Sequence, residues 1–258
     1  MQTDTRVDVF EEIFLYFLAL GTLVGIVVIA YTLYNAYKYR DSDDREADAG
    51  LPSVGELPTG GEGGKKLFVS FGLSAIIVIS LVLWTYGMLL YVESPSDGGG
   101  PGEDAVEVDV TGSSFSWMFE YDDGETGSND LVVPADETVW LNVTGREGDV
   151  WHTFGISEQR VKADAIPGEY DETWFEADET GEYLIECFEL CGPGHSGMEG
   201  TLIVVDGDLY DVIEEEEARG DFVSAYDEGE VDLDSDPDEF EAYLEEQEEE
   251  EEEEEEDE

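Results

Sequence analysis

The stretch ECFELCGPGHSGMEG, residues 186–200, holds both cysteines of the chain, one of its two histidines and a methionine, with 12 residues spanning Cys187 to Met198. Thiolate, imidazole and thioether are the soft donors that copper prefers, and methionine serves as a weak axial ligand. Cys191, three residues, His195, two residues, Met198 is the spacing of a ligand loop in a β-sandwich copper site. A second imidazole has to come from elsewhere, and the only other histidine is His152, in DVWHTFGI, at the end of an expected strand. One copper is then fully supplied and Cys187 is surplus. Four residues before Cys191, it puts a second thiolate on the same cavity, and two thiolates can bridge two metals. Each copper takes one histidine, and Met198 and a backbone carbonyl complete the pair. A delocalised pair changes its geometry little on taking one electron, so the expected chemistry is a fast relay rather than bond-making. A Cys187–Cys191 disulfide leaves both histidines and the methionine without a purpose. A Cys₂His₂ zinc site leaves Met198 without one.

The elements that must carry these residues are legible in outline. AVEVDVTG, TVWLNVTG and GEYLIEC alternate apolar and polar residues, GTLIVV closes near 205, and turn signals such as DDGETG, ADET and DGD separate them. That pattern predicts an all-β sandwich or barrel over 105–212, about 100 residues in size. The stretch 93–104 reads as a Gly/Pro/Ser/acid linker. After Val212 the chain is acidic and poor in apolar residues, ending in an unbroken acidic run; 213–258 is expected to be a disordered tail, with a brief helix at most in EFEAYLEEQ.

Two uncharged runs, 13–34 and 67–92, precede the sandwich. A helix of about 22 residues is roughly 33 Å long, enough to cross a bilayer core. Residues 1–92 therefore read as a membrane hairpin of the cell (plasma) membrane, a multi-pass arrangement in contact with lipid. The leading segment MQTDTRVDVFEE is acidic, unlike a signal peptide. Lys38, Arg40, Arg45, Lys65 and Lys66, half of the ten basic residues, lie between the runs. The positive-inside rule puts that loop in the cytoplasm and the N-terminus, sandwich and tail outside.

Acidic residues number 68 against 10 basic, a formal net charge of −58. Nucleic acid is excluded as a partner, because phosphate binding needs clustered cations. Acid is dense in 93–212 as well as in the tail, so the composition reads as halophilic, with self-repulsion screened by strong salt.

CFELCGPGHSGM resembles the Cys-x-Glu-x-Cys-Gly-x-x-His-x-x-Met signature of cytochrome c oxidase subunit II. DVWHTF resembles the family's segment with the first histidine ligand, VKADAIPGEYDETWF (161–175) its patterned stretch between the ligands, and SSFSWMFEY (113–121) its aromatic segment. The resemblance runs in order over about 13–205. It implies a two-helix anchor, a cupredoxin-like sandwich and a binuclear copper A centre that belongs to a haem–copper oxidase, an oxidoreductase complex in which subunit I reduces oxygen. Cys187 and Cys191 would bridge the coppers, His152 and His195 would bind one each, Met198 would be the thioether, and Glu189 would give its carbonyl to copper and its carboxylate to a magnesium ion shared with subunit I. Partners would be subunit I, the other oxidase subunits, and cytochrome c or a small blue copper protein as donor. Many relatives have Trp where Phe115 stands, so either Phe115 or Trp117 is the place where electrons come in; for Trp117, core packing on a strand is an equal alternative. Glu62 lies in the region where some relatives carry a proton-path carboxylate. The alternative function is a membrane-anchored copper-binding electron carrier or delivery protein outside any oxidase; a quinol oxidase subunit would lack the five side-chain ligands.

Overall fold

The structure is a computed structural model that describes residues 5–38, 40, 62–93, 101–102 and 105–256. In chain order the elements are α1 (Arg6–Lys38), α2 (Glu62–Glu93), β1 (Val106–Ser113), β2 (Ser116–Tyr121), β3 (Thr126–Ser128), β4 (Asp130–Pro134), β5 (Thr138–Gly145), β6 (His152–Ile156), β7 (Val161–Ala165), β8 (Asp171–Glu176), β9 (Gly181–Cys187), a 3₁₀ turn (His195–Gly197), β10 (Glu199–Val205), α3 (Gly207–Glu215), α4 (Arg219–Glu228) and α5 (Pro237–Glu256). Two compact units result, Val9–Val92 being one of them.

Helices α1 and α2 are long and apolar enough to cross a membrane, and there are two such spans, no more, among the described residues. Their apolar side chains, Phe14, Leu18, Ile29, Phe71 and Ile79 among them, point outward rather than into a protein core. The few polar side chains bond their own backbone: Thr32 to Val28 O, Asn35 to Tyr31 O and Thr85 to Leu81 O, each at 2.8 Å. A polar group without water must be satisfied internally. Tyr16 meets Trp84 edge-on, ring centroids 5.0 Å apart. α1 starts seven residues before the apolar run because Thr5 and Asp8 cap it reciprocally: Asp8 N–H donates to Thr5 Oγ1 and Thr5 N–H to Asp8 Oδ2. The loop 41–61 with Arg45, and most of the linker 93–104, lie outside the described residues; Glu62 opens α2, and its side chain lies outside them too.

The second unit is a sandwich of two five-stranded sheets, ordered β3-β2-β1-β5-β8 and β4-β10-β9-β6-β7. β1 runs parallel to β5 and β4 parallel to β10; the other pairings are antiparallel. Strict alternation on β1 and β2 sends Val108, Val110, Trp117, Phe119 and Tyr121 inward and Asp109, Met118 and Glu120 outward. The inner faces close over Phe154, Phe175, Ile185 and Leu202, and one end of this core is made of sulfur: Cys187, Cys191 and Met198.

The C-terminal segment corrects the expectation of a disordered tail for residues 213–244. The outer face of β4 and β10 carries Val132, Ile203 and Val205, and Leu209, Tyr210, Ile213, Phe222 and Phe240 cover them as a second core. β10 is consequently buried on both faces at 202–205. Only one stripe of each helix needs to be apolar, and acidic residues fill the other positions, so averaged composition hides the stripe. The ends are capped conventionally: Asp206 accepts from Asp208 N–H before α3, Gly229 takes the left-handed conformation after α4 (φ 79°), and Asp236 accepts from Asp238 N–H beside Pro237. Arg219 pins the segment down. Its guanidinium is buried, donates to Asp123 and Glu125 at 2.5 Å each and to the Tyr210 hydroxyl at 3.0 Å, and lies 3.9 Å over the Tyr121 ring.

Phe222→Ala should therefore cost about 3–5 kcal/mol of the second unit's stability, as for other buried phenylalanines. Arg219→Ala should cost about 2–3 kcal/mol, less than a fully buried pair because its carboxylate partners are partly solvated. Urea unfolding followed by circular dichroism measures both; costs near zero in both variants would mean that the helices do not pack on the sheet.

Candidate metal centre

Strand register assembles the site. β6 lies antiparallel to β9 with Phe154 opposite Cys187, so His152, two residues before Phe154, shares the inward face with Cys187. The ladder continues as Phe188 N–H donates to Thr153 O at 2.8 Å. The Phe188 ring lies where a side chain on residue 155 would stand; a Cβ at Gly155 would come within 2.5 Å of it. The loop returns through the 3₁₀ turn, with His195 N–H bonded to Gly192 O, Met198 N–H to His195 O and Cys187 N–H to Met198 O.

The donors converge. Cys187 Sγ and Cys191 Sγ are 3.8 Å apart, both as free thiols. His152 Nδ1 lies 4.0 Å from Cys187 Sγ, His195 Nδ1 3.6 Å from Cys191 Sγ, and Met198 Sδ 3.8 Å from Cys191 Sγ. The Glu189 carbonyl oxygen is 3.3 Å from Cys187 Sγ, while its side chain is exposed. Of the five side-chain donors, four are buried and His195 is half-buried. The six residues expected as copper ligands are thus brought to one place.

Electrostatics suit a soft cation. Burial first, and the neighbouring Cys187 second, push the Cys191 thiol up to about 11, so two adjacent thiolates need a positive charge between them. Burial lowers the His152 pKa against the opposing pull of Asp149, which favours the neutral imidazole that metals bind. Among the described residues, the ligand-like grouping here is His152, Cys187 and Cys191, with no carboxylate in it. A sulfur pair flanked by two ring nitrogens and a thioether fits copper. A second grouping with ligand-like spacing among the described residues, the acidic Asp122, Asp123 and Glu214, is exposed, and Arg219 engages two of its three carboxylates.

The two aromatic candidates separate. Trp117 is fully buried and packs edge-on against Phe154 (5.1 Å) and His152 (6.3 Å). Phe115, in the β1–β2 turn, is 37% exposed. Its ring lies against Gly192 and covers Gly194 so closely that a Cβ there would overlap it.

A family profile described as cytochrome c oxidase subunit II, periplasmic domain, matches residues 125–207. The heme-copper oxidase subunit 2 of Aeropyrum pernix is 38% identical over 244 residues, covering 90% of this chain and 92% of that protein. The chain belongs to the cytochrome c oxidase subunit II family. Cytochrome c oxidase subunit 2 of Alkalihalophilus pseudofirmus is 33% identical over 73% of the chain and 53% of that protein. The crystal structure of the periplasmic domain of subunit II from Bradyrhizobium japonicum is 30% identical, with TM-score 0.42, covering 45% of this chain and 94% of that one.

Sequence reasoning missed two residues of this subunit II site. Asp149 accepts hydrogen bonds from Ser114 N–H (2.7 Å), Ser114 Oγ–H (2.5 Å) and Val150 N–H (2.7 Å). Those bonds, the Ser114 hydroxyl foremost, hold its carboxyl down at about 2. An Asp three residues before a candidate histidine was the available signal; nothing in the sequence pointed to Ser114.

Gly194→Val should force the Phe115 ring out of its seat. Overpacking of this kind costs about 1–3 kcal/mol, read as a lower urea midpoint with an unchanged slope. A midpoint equal to that of the unaltered protein would mean that Phe115 does not rest on the loop.

Proposed function

We propose that Cys187, Cys191, His152, His195, Met198 and the Glu189 carbonyl hold two copper ions, and that this subunit II accepts single electrons there from an outer-surface carrier and passes them to the haem of subunit I, where oxygen is reduced to water. The observation that carries this is the sulfur pair 3.8 Å apart with a histidine Nδ1 beside each sulfur. When bound, the copper pair supplies a one-electron redox centre. The chain's own residues supply the rest. The buried thiols and imidazole exclude water from the donors. The 3₁₀ turn fixes Met198 relative to His195. Phe115 offers a half-exposed ring between solvent and the Gly192–Gly194 backbone that leads to His195, which favours it as the place where electrons come in; Trp117, sealed in the core, braces His152 instead.

Glu189 has an exposed carboxylate beside its inward carbonyl, which supports its sharing a magnesium ion with subunit I. The basic residues between the two spans support a cytoplasmic loop and an outer sandwich. Net charge of −58 supports a salt-rich setting and leaves the donor open between a cytochrome c and a small blue copper protein. Assembly with an oxidase is favoured over a free-standing carrier by the likeness to the Aeropyrum pernix protein along nearly its whole length.

Two coppers per chain sharing one unpaired electron should give hyperfine splitting from two equivalent nuclei in electron paramagnetic resonance, and Cys187→Ser should leave one copper at best. A four-line spectrum from the unaltered protein refutes the shared pair. A cysteine placed at Ser53 should resist a membrane-impermeant maleimide added to intact cells; labelling from outside would reverse the orientation.

A further inference from the structure

The β1–β2 turn is gripped from two sides. On one side the Phe115 ring covers Gly192 and Gly194, the backbone that leads into His195. On the other, residue 114 is tied by both its N–H and its hydroxyl to one carboxylate, that of Asp149, which a third donor, Val150 N–H, holds in place. A carboxylate with three short hydrogen bonds cannot rotate freely. The same group faces His152: Asp149 Oδ2 is 3.8 Å from Nε2, the ring nitrogen opposite the Nδ1 that looks toward Cys187. That Nε2 is buried and has no hydrogen-bond partner among the described residues. A nitrogen lone pair turned toward a carboxylate is repelled, whereas an N–H is attracted. The carboxylate therefore favours the proton on Nε2 and leaves the Nδ1 lone pair toward the sulfurs.

We propose that Asp149 is a positioning residue that does two jobs with one carboxylate: it locks the Phe115 turn against the loop of the second histidine, and it sets the tautomer of the first. This rests on the relay function proposed above. Asp149 contributes no ligand atom. Its effect passes through Ser114 to the aromatic ring on the way in, and through Nε2 to the ligand nitrogen on the opposite side of the imidazole.

The test uses the full-length subunit, alone and in the assembled oxidase. The chain has only two histidines, so ring ¹⁵N labelling of the metal-free subunit gives two resolvable imidazoles. His152 should carry its proton on Nε2, and Asp149→Ala should convert it to a mixture of tautomers. In the assembled oxidase, Ser114→Ala, which removes one of the turn's two bonds to Asp149 and touches no ligand, should retain two coppers. It should nonetheless slow reduction of the centre by flash-photolysed tris(bipyridine)ruthenium, by a factor approaching the roughly 10-fold of second-layer variants, with onward transfer unchanged; Ser114→Thr, which keeps the hydroxyl, should restore the rate. The proposal stands if the tautomer changes and the Ser114→Ala rate falls; it is overturned if either is unaltered. Should Asp149→Ala lose copper, the metal-free spectrum and Ser114→Ala still decide. An unaltered oxidase whose subunit II carries no copper defeats the relay function separately, and the tautomer result then judges Asp149 by itself.

Discussion

The pairing of β6 with β9 is the constraint on which the site depends. Phe154 stands opposite Cys187, and that single register puts His152 and Cys187 on the same inward face. Side chains alternate with a period of two, so a slip of one residue would turn one of them outward and leave a sulfur and an imidazole on opposite sides of the sheet. The register is held by the Phe188 ring on Gly155 and by the Phe188–Thr153 backbone bond as the loop departs. The loop after it, from Cys191 to Met198, closes on itself through local backbone hydrogen bonds and returns to the strand through Cys187 N–H to Met198 O.

Placing soft donors at the end of a β-sandwich core solves two problems together. The sulfur atoms pack as apolar groups beside Phe154 and Ile185, so the site adds to the core. The same burial raises the Cys191 thiol pKa and lowers that of His152. Proton affinity and metal affinity thus compete at Cys191, whereas burial favours the neutral imidazole that metals bind.

The acidic surface has its own structural logic. Arg219 is buried, and it draws Asp123 and Glu125 of the β2–β3 turn and Glu214 of α3 around one guanidinium. In a chain with 68 acidic residues and 10 basic ones, a buried cation converts local repulsion into a clamp between sheet and helices. The clamp works together with the apolar contacts of Phe222 and Phe240, so the helical segment is part of the folded unit although its composition is that of a solvated tail.

The sequence by itself determined which soft side chains were candidates to meet, the two apolar spans and the sandwich, because residue identity at fixed spacing and alternation along a strand are local properties. Both cysteines, both histidines and Met198 were legible for that reason, as were β1, β5, β9 and β10, whereas Glu189 was named only through the family resemblance. Only the tertiary structure decided the rest. The packing of α4 and α5 was hidden because a helix can bury one sparse stripe while its remaining positions stay acidic. The difference between Phe115 and Trp117 was hidden because two aromatics two residues apart carry the same local signal, and only the turn puts one at the surface and the other in the core. Asp149 and Ser114 are 35 residues apart in the chain; their contact exists because β1, β2 and the loop before β6 meet at one end of the sandwich, and no local pattern encodes a meeting of that kind.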